Sequence, residues 1–381
     1  MKIIVLHIGN ILKYPPIMNL LNIINDLQIE CLVITTKSEF NDNEKFKTIR
    51  FCEIKIEYEK INSPIKKLLY LKFIRNNIWK IIKAEYNEDD VIWVSSNVAL
   101  KYLGNNIVKM NYVLHLMELF KELRYFNEIP FLKFNSHKIA DNALAVVVPE
   151  YNRAHITKAW WNLKSLPLIF HNKPCYYKNF NRNMDIRNKN AKTIIDKIKN
   201  KKILLYQGIV DDKERPLVNY MKAIEKLGND YAFVIMSSGE NIYKHIKSKN
   251  YYFIPYIKPP LHLEVTSHAY IGILSYYPVK SFSSELNSIY CAPNKTFEYS
   301  MFAIPMIGND VPGLKYVFEP YNAGVCLEEF TVENICKAIK HIESNYEAMS
   351  CGAHKYYDSV DLKKEFINIL DTVNRRKAER I

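Results

Sequence analysis

The sequence has no apolar stretch near the ~18 residues that a membrane-spanning helix needs, and its N-terminus lacks a secretory signal. We therefore expect a cytoplasmic protein. Only ten glycines are present, and no strand-to-helix turn carries a dinucleotide fingerprint or a P-loop. The G-x-S-x-G and H-E-x-x-H motifs are also absent. These absences disfavour NAD-dependent, P-loop, serine-hydrolase and zinc-protease chemistry.

The seven cysteines form no C-x-x-C pair and no cluster with histidine at zinc spacing. Most lie within apolar patterns that are typical of strands or helices, so we interpret them as buried free thiols in a reducing compartment. The sequence therefore predicts neither a metal site nor a resident cofactor.

Basic residues outnumber acidic ones by 53 to 40, which gives a formal net charge of +13. Most of the excess lies in 151–202, which has thirteen Lys or Arg residues and two acids. We interpret this stretch as a solvated hinge or, alternatively, as a surface that contacts an anionic membrane. Lysine outnumbers arginine by 43 to 10, and base-specific readers depend on bidentate arginine, so nucleic acid is not an expected partner.

Apolar runs of strand length alternate with helical patterns along most of the chain. The alternation predicts an α/β protein with two doubly wound Rossmann-like domains facing a cleft. The polar, Asn- and Lys-rich stretch 176–200 interrupts it and is predicted to be a linker. We expect an N-terminal domain over 1–175, a C-terminal domain over 201–360, and a helix at 361–381 that packs back on the first domain.

The stretch Lys66–Lys83 is basic and rich in large apolar residues, a composition found in helices that bind membrane surfaces. Its apolar residues do not fall on one face at about 100° per residue. We therefore favour a largely buried helix whose lysines extend to solvent, with surface binding as the alternative.

The densest group of candidate binding residues lies in "APNKTFEYS". Pro293 and Asn294 begin a helix, so Lys295 projects from the first turn, where free backbone N–H groups and the helix dipole favour an anion. Glu298, three residues later on the same face, can accept hydrogen bonds from a diol. This spacing fits a nucleoside diphosphate, and a surface Lys–Glu pair on an ordinary helix is the alternative.

A second basic group follows a predicted strand that ends at Gly208, in "YQGIVDDKERPL". Arg215 precedes Pro216, and proline is favoured at the first position of a helix. A guanidinium group near a helix start can bind a phosphate through two hydrogen bonds. Lys213 is the alternative cation.

Three segments of the second half resemble one family of glycosyltransferases. The segment "LNSIYCAPNKTFEYSMFAIPMIGNDVPGL" looks like the signature of the large retaining, nucleotide-sugar-dependent family with the GT-B fold, glycosyltransferase family 4. The segment "YQGIVDDKERPLVNYMKAIEKL" is similar to the opening of that family's donor-binding domain, and "GVCLEEFTVENICKAIKHIESNYEAMSCGAHKYY" to its closing helices. The resemblance covers 200–370 well and the first half only in layout.

The resemblance implies transfer of a sugar from a nucleotide diphosphate sugar, with retention of configuration and without a metal. Carried over position by position, Lys295 and Arg215 would neutralise the diphosphate, beside Gly208 and Asn294. Glu298 would bind the ribose hydroxyls.

One position departs from the family pattern. Many members have a glutamate where this chain has Tyr290. The contacts with the sugar are therefore expected from Glu285 or Asn287 instead.

The candidate catalytic residues are His115 and Glu118 in "YVLHLMELF", which follow a first-domain strand where the family often has a polar acceptor-side residue. A core histidine is the other open interpretation of His115. His7 is a weaker catalytic alternative. Glu150 resembles a cleft-facing segment of the family, but we interpret it as a cap of the helix that follows.

The expected function is that of a bacterial glycosyltransferase of polysaccharide synthesis, transferring a hexosyl or N-acetylhexosaminyl group to a glycan, lipid-linked or protein acceptor. Peripheral contact with an anionic membrane is a further expectation. Two alternatives stay open. One is a catalytically inactive glycan-binding or partner subunit, because fold alone does not establish activity. The other is a nucleotide-sugar 2-epimerase, although no His/Asp/Glu cluster is suited to handling a C2 proton.

Overall fold

Apolar runs form the strands of two parallel sheets. The computed structural model describes residues 1–38, 46–57, 63–124, 133–174, 181–279 and 284–380. The strands of the first sheet are β1 (Ile3–Asn10), β2 (Cys31–Lys37), β3 (Ile49–Glu53), β4 (Val91–Ser95), β5 (Tyr112–His115), β6 (Ala145–Val148) and β7 (Leu168–Ile169). Their order is β3-β2-β1-β4-β5-β6-β7, and neighbouring strands are parallel.

The strands of the first sheet are covered on both faces. Ile3–Leu6 of β1 and Ile92–Val94 of β4 are fully buried, and Leu6 pairs with Val94. Consecutive apolar residues, rather than alternating ones, are typical of parallel strands with helices on both sides. The helices of this part of the chain are α1 (Pro15–Asp26), α2 (Pro64–Glu85), α3 (Ser96–Leu103), α4 (Ser136–Asp141) and α5 (Tyr151–Trp161).

The second sheet repeats this arrangement. After α6 (Lys189–Ile198), its strands are β8 (Lys202–Gln207), β9 (Tyr231–Ser237), β10 (Tyr251–Pro255), β11 (Ile271–Ile273), β12 (Met306–Asn309) and β13 (Gly324–Leu327). Their order is β10-β9-β8-β11-β12-β13, again parallel. The helices that follow are α7 (Val218–Leu227), α8 (His262–Thr266), α9 (Leu286–Ile289), α10 (Asn294–Ser300), α11 (Pro312–Tyr321), α12 (Val332–Ser344) and α13 (Tyr346–Asp358).

Both sheets reverse their strand order at one point, between β1 and β4 in the first and between β8 and β11 in the second. In doubly wound sheets such a switch point leaves a crevice at the carboxyl ends of the strands, where ligands bind. The prediction of an α/β fold with two doubly wound sheets is confirmed.

The chain divides into two compact units. The first comprises Met1–His171 and Asp361–Ile381, and the second comprises Asn172–Ser281 and Glu285–Val360. The stretch predicted as a linker, 176–200, contains α6, which packs against β10 of the second unit.

The last helix, α14 (Leu362–Ala378), belongs to the first unit. Phe366 on this helix is fully buried, and its ring centre lies 5.8 Å from that of Trp93 on β4. Nearer the C-terminus, Nη1 of Arg376 donates to the backbone oxygen of Leu144 at 3.1 Å. The end of the chain therefore supplies part of the cover of the first sheet.

Helix α2 is buried on one face only, which corrects the prediction of a largely buried helix. Ile78 and Ile82 are fully enclosed, whereas Leu69 and Phe73 are 63% and 58% exposed. Among the helices in the described ranges, none is long and apolar enough to cross a membrane.

Candidate functional site

Strand β8 ends at the switch point of the second sheet with Tyr206, Gln207 and then Gly208. Gly208 has a φ of +128°, a backbone conformation that residues with a side chain rarely adopt. A Cβ atom at this position would lie 3.5 Å from Nζ of Lys295. Glycine therefore brings the backbone close to that ammonium group.

Lys295 lies in the first turn of α10, and its Nζ is buried with no hydrogen-bond partner among the described residues. The ammonium group is 4.6 Å from the ring centre of Tyr206 and 5.1 Å from that of Tyr276. Burial, and then repulsion from Arg215, lowers the pKa of Lys295 to about 7. An anion at this position would relieve both effects.

Arg215 is the second cation of the cluster. Its Nη1 donates to the backbone oxygen of Ile209 at 3.2 Å, and Nη2 lies 3.6 Å from Oε1 of Glu214. The guanidinium carbon is 5.5 Å from the ring centre of Tyr276, the same ring that faces Lys295. Nε is buried without a partner in the described part of the chain, so this side chain retains donor capacity.

Lys213, the alternative cation, is exposed. Its backbone N–H donates to Oδ1 of Asp211 at 2.9 Å, in the turn that leads to Arg215. Because Arg215 and Lys295 are half-buried against a shared ring, these two residues are the better candidates for binding an anion.

Glu298 lies one turn after Lys295, and the residue is 5% exposed. Gln207 donates through Nε2 to Oε2 of Glu298 at 2.5 Å, and Nε2 of His262 is 3.2 Å from Oε1. Thr266 in turn donates to Oε1 of Gln207 at 2.7 Å. Residues of β8, α8 and α10 thus fix the orientation of this carboxylate.

Each oxygen of Glu298 has one partner in this network. A carboxylate oxygen has two lone-pair positions, so two acceptor positions stay open. Two hydroxyl donors of a vicinal diol can use them while Gln207 and His262 keep their contacts. Sequence reasoning identified Glu298 but missed Gln207, His262 and Thr266, which belong to no motif; the signal available was the location of Gln207 at a strand end.

The other predicted donor residues lie around the two short helices α9 and α10. Glu285 is exposed and precedes α9, Asn287 is half-buried within it, and Asn294 is half-buried at the start of α10. Helix α11 approaches the segment between them, because a Cβ on Gly313 would lie 2.5 Å from the backbone of Cys291. This close packing fixes the chain that leads into α10.

Two histidines lie close to the switch point of the first sheet, His7 on β1 and His115 at the end of β5, and both are almost fully buried. Ser95 on β4 donates its hydroxyl proton to the backbone oxygen of Leu6 at 2.8 Å, so its oxygen accepts from Nδ1 of His7 at 2.9 Å. On the other side of β4, Nε1 of Trp93 donates to Nδ1 of His115 at 3.3 Å.

These partners assign opposite tautomers to the two imidazoles. Nε2 of His7 is an acceptor and Nε2 of His115 is a donor, and neither has a partner within the described ranges. Burial lowers the pKa of His7 to about 4, and burial followed by the charge of His7 lowers the pKa of His115 to about 4. Both are neutral near pH 7, so they offer one donor and one acceptor to a neutral polar group.

The two carboxylates that sequence analysis singled out in the first unit, Glu118 and Glu150, differ in their contacts. Oε2 of Glu118 is 3.5 Å from Nη1 of Arg153, and its side chain is 52% exposed. Glu150 accepts from the backbone N–H groups of Asn152 and Arg153, each at 2.9 Å, at the start of α5. These contacts support the interpretation of Glu150 as a helix cap.

The two switch points therefore carry different chemistry, cations with a diol acceptor in the second unit and neutral imidazoles in the first. In the described ranges, no group of three or more His, Cys, Asp or Glu side chains is arranged to hold a metal ion.

No protein-family model matches the chain, and no curated protein matches it. Among solved structures, the trehalose-6-phosphate synthase OtsA aligns with a TM-score of 0.68 at 9% identity, covering 98% of this chain and 99% of that one. Sucrose-phosphate synthase from Thermosynechococcus elongatus gives 0.66 at 13% identity and covers 99% of both chains. Anabaena HepE in complex with UDP and glucose gives 0.64 at 11% identity, covering 98% and 99%.

These three matched structures are nucleotide-sugar glycosyltransferases of the GT-B type. At these identities the similarity shows the fold, a pair of Rossmann-like α/β domains, over nearly the whole chain. The more specific assignment to glycosyltransferase family 4 stays a prediction.

Proposed function

We propose that this protein is a glycosyltransferase that uses a nucleotide diphosphate sugar as donor. The observation that carries the proposal is the pair of cations, Lys295 and Arg215, which face one ring of Tyr276 with donor groups unused. One turn away, Glu298 has two acceptor positions open for a diol. A diphosphate joined to a ribose presents these two groups to a protein.

The cations would act at the step in which charge develops. In the transfer, the bond between the anomeric carbon and the diphosphate oxygen breaks and a bond to an acceptor oxygen forms, while the proton of the acceptor hydroxyl passes to the departing diphosphate or to water. Negative charge accumulates on the departing diphosphate, where cations fixed in advance stabilise it. Lys295 and Arg215 supply this stabilisation, so we propose transfer without a divalent metal.

Other parts of the proposal depend on the family resemblance. They are retention of configuration, transfer of a hexosyl or N-acetylhexosaminyl group, and a glycan, lipid-linked or protein acceptor in bacterial polysaccharide synthesis at the cytoplasmic side. The glycosyltransferases among the matched structures support the reaction class, and the UDP and glucose bound to HepE support the type of donor.

A catalytically inactive binding subunit is the second candidate. The observation that favours it is the complete enclosure of His115, the predicted catalytic residue, whose pKa is lowered to about 4 by burial and then by the charge of His7. Such a subunit would keep the nucleotide site and lose transfer.

Titration calorimetry with UDP tests the donor site. A charge-assisted hydrogen bond contributes ~1.5–3 kcal/mol, so Lys295→Met, Arg215→Met and Glu298→Gln should each weaken binding by about 10- to 100-fold. Lys222→Met is the matched control, because Lys222 is exposed on α7 of the same unit. With 2′,3′-dideoxy-UDP, Glu298→Gln should cost nothing further, since its two partners are then missing from the ligand.

Unchanged UDP affinity in Lys295→Met and Arg215→Met would show that these residues do not form the donor site. A panel of UDP-, GDP-, ADP- and CMP-sugars, followed by thermal shift, then identifies the base. Transfer of radiolabelled sugar into an extractable product would support an active glycosyltransferase. Tight binding of the sugar nucleotide, without transfer and without its interconversion, would support an inactive binding subunit. Interconversion without an acceptor would indicate an epimerase.

A further inference from the structure

Exposed large apolar side chains concentrate at the N-terminal half of α2. Fourteen large hydrophobic residues are exposed in the described chain, and four of them lie within nine residues of this helix. Two lysines, Lys66 and Lys72, are exposed among them. We call this group the α2 surface; its apolar members are Ile65, Leu68, Leu69 and Phe73, which are 71%, 42%, 63% and 58% exposed.

The core does not need these side chains. Leu71, Ile74, Ile78 and Ile82 recur at helical spacing and are at most 4% exposed, so they form the inward face of α2. The α2 surface is an additional set of apolar residues on the opposite side. Singly scattered exposed apolar residues are ordinary, whereas a contiguous set on one helix marks an interaction site.

The exposed charged side chains of α2 all carry the same sign. Its one acid, Glu85, is the last residue of α2 and pairs with Arg50. Arg75 is half-buried, and its Nη2 donates to the backbone oxygen of Lys101. The exposed charges of α2 are therefore all positive, and they belong to Lys66, Lys72, Lys80 and Lys83.

We propose that the α2 surface binds the surface of an anionic lipid bilayer. Leucine and phenylalanine side chains enter the boundary between head groups and acyl chains, and the flanking lysines contact negatively charged head groups. The large apolar residues of this surface match the acyl-chain boundary, and its lysines, with no acid among them, match the negatively charged head groups. An acidic protein surface would complement the lysines but would not require four exposed large apolar side chains.

The more basic stretch 151–202 is a poorer candidate. It is divided between the two units, with α5 in the first and α6 in the second. Among the cations of this stretch that the structure describes, six hydrogen bond to groups of their own unit, which gives them a structural role: Arg153, Lys173, Arg182, Arg187, Lys201 and Lys202.

Co-sedimentation of the full chain with phosphatidylglycerol-containing vesicles tests the proposal. Binding is expected to anionic vesicles and not to neutral phosphatidylcholine vesicles. Each apolar side chain that enters the bilayer contributes about tenfold in partitioning, so Leu69→Glu and Phe73→Glu should each weaken binding by at least that factor. Lys72→Gln should weaken it by about fivefold, with a smaller effect at high salt.

Matched controls distinguish binding through the α2 surface from nonspecific binding through any exposed apolar residue or lysine. Ile242→Glu changes an apolar residue that is 44% exposed in the second unit, and Lys222→Gln removes a lysine there; both should bind as the wild type does. Phe73→Trp keeps the aromatic character, and its emission should shift to the blue on addition of anionic vesicles. The proposal would be overturned if the wild type did not bind anionic vesicles, or if the control variants lost as much binding as the α2 variants. It would also be overturned if the tryptophan emission of vesicle-bound Phe73→Trp did not shift to the blue.

Discussion

The buried ammonium group of Lys295 should make the stability of this protein depend on pH, and one substitution should remove that dependence. Its pKa in the folded chain is about 7, below the ordinary value of 10.5, because of burial and then repulsion from Arg215. Between these two values the unfolded chain binds a proton that the folded chain has released. Stability is therefore lowest below pH 7 and rises as the pH approaches 10.5.

The substitution Lys295→Met keeps an unbranched chain of similar length and removes the ionisable group. Linkage then gives the size of the effect: relative to this variant, wild type should be less stable by at most about 4 kcal/mol at pH 7 and about 1 kcal/mol at pH 9.5. The difference between the two proteins should thus shrink by about 3 kcal/mol over this range.

Urea denaturation of both proteins at pH 7.0 and 9.5 measures this difference. Other titrating groups are common to both and cancel in the comparison. The same pH dependence in wild type and Lys295→Met would refute the reasoning, because it would mean that the ammonium group keeps an ordinary pKa. At the proposed diphosphate site, binding of UDP at pH 8 should in addition take up about 0.9 proton, which calorimetry in buffers of different ionisation enthalpy detects.

Two further predictions concern the strand ends. Because the pKa of His115 is lowered to about 4 by burial and then by His7, wild type should lose about 2 kcal/mol between pH 7.5 and 5.0 through this group. His115→Phe should lack that part of the acid sensitivity in urea denaturation. Gly208→Ala should cost about 1–3 kcal/mol in the same assay and weaken UDP binding. Gly239→Ala, at a φ of +94° in open space, should have a similar backbone cost and leave UDP binding unchanged.

Much of the fold could be predicted because parallel strands are covered on both faces. Runs such as Ile3–Leu6 and Val91–Val94 are continuous and apolar, and they correspond to β1 and β4. The strand Leu168–Ile169 was not predicted, because two residues are too few to show a pattern.

The sequence of helix α6 contains a helical pattern of apolar residues within a stretch that is polar in overall composition. Its stretch was predicted as a linker on its content of Asn and Lys, yet Ala191, Ile195 and Ile198 recur at helical spacing and are buried. Asn188 caps this helix by accepting from the backbone N–H of Ala191. Periodicity was thus a better guide here than polarity.

The candidate site could be predicted only where its residues share a motif. Lys295 and Glu298 are three positions apart, so helical geometry alone brings them to one face. Gln207 lies 91 positions before Glu298, and His262 lies 36 positions before it. Their contacts arise from the packing of β8 and α8 against α10, which a single sequence does not encode in any local pattern.

The two sheets share one doubly wound strand order but carry different residues near their switch points. The two sets of residues suit different chemical roles. A diphosphate that departs with developing charge needs cations that are fixed in advance, and Lys295 and Arg215 are held against one ring with donors to spare. The first sheet carries no charge at the corresponding strand ends, because His7 and His115 are enclosed and neutral, with one acceptor and one donor nitrogen that have no partner among the described residues. Since burial keeps both imidazoles neutral down to about pH 4, neither repels the other near pH 7. The same burial makes them poor bases, so under the proposed function neither is suited to remove the proton of an acceptor hydroxyl.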